Sequence, residues 1–217
     1  MPGFATGRPE GFSGTKDAYS EWLAQVVSGF GGPVDLVGHD FGALLAMRLA
    51  SAVDVPLRSW VVDVADIFHP DFVWPERMQN LQTAGVGEEI LAREREAAAG
   101  NPESTVSHLI SSGVPGDLAI EIASAHDATM SRSILEFYRS AVPNIAADWW
   151  AAISGPTRSQ GLVLLLPDPP ATEAQSVEVA LRLGAQTTRL DGLGHCWMAE
   201  APKTVAPVLE RFWSSLD

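Results

Sequence analysis

Asp40 sits at the centre of VDLVGHDFGALLAM (Val34–Met47), where a short apolar run meets a tight turn and then a helical pattern. The turn is Gly38-His39-Asp40-Phe41-Gly42. A Gly-x-nucleophile-x-Gly turn between a strand and a helix is a nucleophile elbow. The first glycine lets strand and helix approach closely, and the last lets the helix start without a side-chain clash. The central residue is pushed into a cleft in a strained conformation, beside the N–H groups and positive dipole end of the helix that follows. A carboxylate in that position attacks carbon and forms an ester. Toward an ester substrate its acyl product would be an anhydride, so it suits alkyl electrophiles instead: strained epoxides and carbon–halogen bonds.

An ester intermediate must be hydrolysed by activated water, which requires a general base. His195 fits that part, in the glycine-rich DGLGHCWMAEAP, just before the last helical segment. Two carboxylates are candidates to orient it. Asp168 follows the apolar run GLVLLLP and is preferred, and Asp63 lies at the second strand. Asp63 is equally readable as a buried structural carboxylate beside the elbow.

The elements that must position these residues follow from pattern. Asp17–Ser28 has helical spacing; Val34–Val37 is a strand; Phe41–Ala52 is a helix with Leu44, Leu45 and Leu49 apolar. SWVVDVADIF, Ser59–Phe68, reads as a second buried strand, so that a helical crossover joins two parallel strands. From His69 to Ser154 helix follows helix, broken at glycine and proline. Strands return at Gln160–Pro167 and Ala185–Gly192, with a helix at Glu173–Leu183 between them and a final helix at Pro202–Leu216. The expected division is an α/β core over residues 1–68 and 155–217, interrupted by a helical insertion over 69–154.

Composition narrows the function classes. The chain has 217 residues, 46% of them hydrophobic and 19% charged, enough for a real core and against disorder. A net charge of -13 argues against nucleic-acid binding, which needs clustered Lys and Arg. The single cysteine, Cys196, cannot form an intrachain disulfide and suits a reducing cytoplasm. MPGFATGRPEGF lacks an apolar h-region, so no signal peptide is expected, and the longest aliphatic run is too short to span a membrane. The five histidines (His39, His69, His108, His126, His195) show no metal-ligand spacing, and no metal or cofactor is expected.

With these residues in view, the chain resembles the epoxide hydrolase and haloalkane dehalogenase branch of the α/β-hydrolase superfamily. DLVGHDFGALLAMRLA and LDGLGHCWMAEAPKTVAPVLERFW are similar to its nucleophile and histidine motifs, in the order nucleophile, acid, histidine. The resemblance implies a mostly parallel sheet flanked by helices, with the helical insertion as a cap. SILEFYRSAVPN resembles the cap motif whose tyrosine, here Tyr138, donates a proton to the opening epoxide oxygen. Phe41, His39, Trp149, Trp150 and Trp74 are the expected lining for an apolar, small-molecule substrate.

The chain also departs from that pattern. Such epoxide hydrolases usually carry two cap tyrosines, but this chain has two in all, and Tyr19 precedes the elbow. Trp149, Trp150, His69, His108 and His126 are the remaining polar candidates for a second donor. Dehalogenases typically follow the nucleophile with a tryptophan that holds the halide, and Phe41 lacks that N–H. The family's first strands, and the loop that supplies a second oxyanion N–H, have no counterpart here. The expectation is an N-terminally shortened chain whose exposed sheet edge favours poor solubility, a homo-oligomer or inactivity. The alternatives to an epoxide hydrolase are therefore a haloalkane-type dehalogenase and a non-catalytic ligand-binding protein on the same scaffold.

Overall fold

The computed structural model of the chain describes residues 1–166 and 170–216. In chain order the elements are α1 (Lys16–Ser28), β1 (Val34–Gly38), α2 (Phe41–Ala52), β2 (Leu57–Val62), α3 (Glu76–Gln82), α4 (Val86–Glu96), α5 (Thr105–Ser111), α6 (Gly116–Ser124) and α7 (Ala128–Ser140). They continue with α8 (Ala146–Trp149), β3 (Gln160–Leu165), α9 (Pro170–Leu183), β4 (Gln186–Arg189), α10 (Trp197–Glu200) and α11 (Pro202–Ser214). Contacts gather them into two compact units.

One unit comprises Ser20–Val73, Pro143–Gly194 and Ala201–Asp217 and contains the sheet. The strand order is β1-β2-β3-β4, all parallel, with Val37 opposite Val61 and Val62 opposite Val163. The central strands β2 and β3 are buried along nearly their whole length. That explains why their buried parts, Trp60–Val62 and Leu162–Leu165, read as apolar runs rather than as alternating patterns: helices cover both faces of a parallel sheet. α2 packs on β1 and β2, and α9 packs on β3 and β4. Gly161 stands opposite Trp60 in the β2–β3 register, and a methyl group there would overlap the Trp60 indole. The indole N–H in turn donates to Thr157 Oγ1 at 3.2 Å.

The expected strand Ser59–Phe68 is shorter than its apolar pattern. β2 ends at Val62, and Ala65–Phe68 forms a 3-10 turn. Val64 at φ 38°, ψ 39° breaks the extended run, a left-handed conformation that a β-branched residue rarely adopts. The turn packs on α9, where the Asp66 N–H donates to Ser176 Oγ at 3.0 Å.

The other unit comprises Met1–Tyr19, Trp74–Val142 and His195–Glu200. Its N-terminal loop is bound to α7. The Arg8 guanidinium pairs with Glu136 and donates to the Phe12 carbonyl, while the fully buried Tyr19 donates its hydroxyl to Pro2 O at 2.7 Å. Phe4, Phe12 and Phe137 surround the Tyr19 ring, and burial raises its pKa. α4 joins α7 through Glu88, which accepts from Arg139 at 2.7 and 2.8 Å, and α3 joins α4 through Arg77 and Glu94. Among the described residues no helix is long and apolar enough to cross a membrane, and no cluster of three or more His, Cys, Asp or Glu could hold a metal ion.

The Arg139 hydrogen bonds lower the Glu88 pKa from 4.5 to about 2. A depressed carboxylate stabilises the fold above its unfolded pKa, and that contribution is lost as pH falls toward the folded value. Because the pair is partly solvated, its worth is about 0.2–1 kcal/mol. Glu88→Gln is therefore expected to lower the urea midpoint at pH 6, with the gap from the parent closing between pH 4.5 and 2. A gap that does not change over that window contradicts the assignment.

Candidate active site

The elbow forms where β1 runs directly into α2. Gly38 is required by close approach, because a Cβ there would overlap the Gly42 carbonyl and lie 2.8 Å from Ala43 N. Gly42 differs from expectation: a Cβ at that position meets nothing within 4 Å beyond its own helix, so the helix can start there with a side chain. Asp40 itself adopts φ 51°, ψ -118°. Its carbonyl accepts from Ala43 N at 3.0 Å and Leu44 N at 3.3 Å, opening the first turn of α2. An aspartate at a helix N-cap ordinarily turns its carboxylate back onto the N–H groups of that first turn. Asp40 makes no such side-chain cap bond.

Asp63, fully buried just beyond the end of β2, anchors this turn. Its Oδ1 accepts the Asp40 backbone N–H at 3.1 Å, and its Oδ2 lies 2.5 Å from His39 Nδ1. The positive φ values of Asp40 and Val64 thus flank one carboxylate. Backbone strain of this kind persists where surrounding bonds over-determine it, and it gathers at functional sites. The bond between His39 and Asp63 is the feature that sequence reasoning missed. The residues are far apart in sequence, and only the β1–β2 pairing, with Gly38 opposite Val62, brings them together.

The remaining expected residues are distributed as follows. Phe41 is half-buried at the first position of α2. In the same unit Trp149 is buried, 6.1 Å from Phe68 between ring centroids, and Trp150 lies 5.8 Å from His69. His69 accepts the Asp71 N–H at Nδ1 and meets Glu178 at 3.0 Å through Nε2. Asp168 lies outside the described residues.

The other unit holds Tyr138, Trp74 and His195. Tyr138 is buried on α7, with the Trp74 ring edge-on at 5.2 Å. Trp74 commits its indole N–H to Ala141 O at 3.0 Å. His195 is half-buried in the turn leading into α10, a turn tied to α5 by the Cys196 N–H donating to Ser112 O at 3.3 Å. His126 is bonded to Thr105 and Ser131, and desolvation, assisted by Arg95, lowers its pKa. His108 lies 3.7 Å from Glu94.

The sequence pattern described as the alpha/beta hydrolase family matches residues 1–208. The chain belongs to that family. No curated protein matches it. Among solved structures it is similar to a point variant of an epoxide hydrolase from Bacillus megaterium, at 17% identity and TM-score 0.71, covering 96% of this chain and 79% of that one. It is also similar to a loop variant of haloalkane dehalogenase from Bradyrhizobium elkanii, at 17% identity and TM-score 0.67, covering 100% and 78% respectively. A thermophilic esterase from Thermogutta terrifontis matches at 18% identity and TM-score 0.63, covering 93% and 73%. Likeness at this identity shows the shared fold.

The two elbow glycines separate in a direct test. Gly38→Ala is expected to lower unfolding free energy by roughly 1–3 kcal/mol through overpacking against the Gly42 backbone. Gly42→Ala should cost less than about 0.5 kcal/mol. Equal losses in urea unfolding would contradict the close-approach argument.

Proposed function

We propose that this alpha/beta hydrolase is an epoxide hydrolase acting on an apolar epoxide through an ester on Asp40. The observation that carries the reading is the Asp40 carboxylate itself. It occupies a strained elbow pinned by Asp63 and makes no cap bond to the helix behind it. A carboxylate nucleophile is productive toward an alkyl carbon and unproductive toward an acyl group, which separates this reading from an esterase on the same fold.

In the proposed reaction an Asp40 oxygen attacks one epoxide carbon, forming a C–O bond as the ring C–O bond breaks. Tyr138 gives its phenolic proton to the ring oxygen, which would otherwise leave as an alkoxide. His195, oriented by Asp168 or Asp63, then takes a proton from a water that attacks the ester carbonyl carbon. The acyl C–O bond breaks, the departing alkoxide, which carries the former Asp40 oxygen, takes the proton left on the water oxygen to complete the diol, and Asp40 regains a carboxylate that contains the water oxygen. The phenol is restored by the proton His195 acquired. No cofactor enters these steps. Residues 69–154 are read as the helical cap, with Phe41, His39, Trp74, Trp149 and Trp150 as the substrate lining. Phe41, which offers no side-chain N–H to a halide, supports an epoxide over a haloalkane.

His195→Ala removes the base and leaves attack intact. Incubated with styrene oxide, this variant is expected to gain the mass of one epoxide, mapped by peptide mass spectrometry to Asp40. Asp40→Asn should gain nothing and turn over nothing. A folded His195→Ala protein that gains no mass across several epoxides, or turnover that survives Asp40→Asn, would overturn the reading.

A further inference from the structure

The segment His195–Glu200 belongs to the unit formed with Met1–Tyr19 and Trp74–Val142, while Gly194 and Ala201 on either side of it belong to the unit that holds the sheet. Within its own unit this segment is joined to the turn between α5 and α6. The Cys196 N–H donates to Ser112 O at 3.3 Å. At the next residue of the turn, an added Cβ on Gly113 would lie 3.3 Å from Glu200 Oε2, so the turn also runs close to the end of α10. Val114 and Trp197, which continue the chain from the two sides of this join, are both buried.

Local bonding fixes the turn. The Gly113 N–H donates to Ile110 O at 3.0 Å and the Val114 N–H to Leu109 O at 3.0 Å, the two bonds of a Schellman helix end. That motif takes a residue of positive φ after the cap, and Gly113 supplies it at φ 94°. The Ser112 hydroxyl donates to His108 O at 2.9 Å. Together these bonds aim the Ser112 carbonyl. On the other side, the Cys196 N–H is part of the peptide bond that leaves His195, and a peptide unit is planar. Holding that plane constrains the backbone at His195 Cα, the atom from which the imidazole projects. The Cys196 carbonyl accepts from Ala199 N at 2.9 Å and Glu200 N at 3.0 Å, so α10 braces the residue from the far side.

We infer that the Ser112–Gly113 turn is a positioning element for His195, holding the backbone from which the base works. The inference rests on the reading of His195 as the base that cleaves the Asp40 ester. Attack by Asp40 on the epoxide does not use that base, so it is independent of the turn. Activation of water does use it, and proton transfer requires the base within hydrogen-bond reach of the water. The turn therefore acts on the second half of the reaction and leaves the first alone.

Gly113→Val and Gly113→Asn test this role. Valine is strained at positive φ, and asparagine tolerates it better. In single turnovers of styrene oxide, Gly113→Val is expected to form the Asp40 ester within about twofold of the parent rate and to hydrolyse it roughly tenfold or more slowly, so that the ester accumulates. Gly113→Asn should recover most of the lost rate. The Cys196 amide should exchange its hydrogen roughly tenfold faster in Gly113→Val than in the parent, and the His195 ring signals, assigned with His195→Ala, should shift. If Gly113→Val does not fold, Gly113→Ala carries the same comparison. Equal Cys196 exchange in parent and variant, ester hydrolysis at the parent rate, or parallel loss of both steps would each overturn the inference. A parent that forms no ester refutes the reading of Asp40 instead. The turn is then judged on the His195 ring, and signals unchanged by Gly113→Val would overturn its positioning role.

Discussion

The Asp63 carboxylate, with no exposed surface, accepts the Asp40 N–H at 3.1 Å and meets His39 Nδ1 at 2.5 Å. The geometry of the elbow depends on this buried junction. A non-glycine residue at φ 51° costs of order 1–3 kcal/mol, and the conformation persists only if its neighbours hold it. A buried carboxylate bonded on both oxygens does this from behind the turn, leaving α2 to hold the turn from ahead through Asp40 O. Asp63 can do so because β2 ends one residue earlier, at Val62, opposite Gly38. The register of the two strands therefore sets the position of the proposed nucleophile.

The sheet supports that register from the other side. β2 is paired on both edges, and Trp60 closes over Gly161 of β3. A larger residue at 161 would push Trp60, and with it the strand that ends at Asp63. In the second unit, buried aromatic contacts around Tyr19 and the pairing of Arg8 with Glu136 fix the N-terminal loop to α7, the helix that carries Tyr138. Tyr19 spends its hydroxyl on Pro2 O, so its chemistry is structural.

Much of the scaffold was legible in the residues. The bounds of α2 match the helical pattern, and GHDFG marks the turn, because local sterics and hydrophobic period act over a few residues. The apolar pattern overruns β2 because a buried strand and an apolar turn have the same composition, and nothing local reveals that Val64 turns left-handed. The motif implies a steric role for Gly42, while the space beside it is open. The His39–Asp63 junction arises from tertiary packing, which joins residues that one-dimensional periodicity leaves unrelated.

The central claim is that a carboxylate oxygen of Asp40, rather than water, forms the new bond to the substrate. A single turnover of excess enzyme with styrene oxide in H2(18)O tests it. The account predicts a first-formed diol without heavy oxygen and one heavy oxygen in the peptide containing Asp40. Heavy oxygen in the first-formed diol, with Asp40 unlabelled, would contradict it.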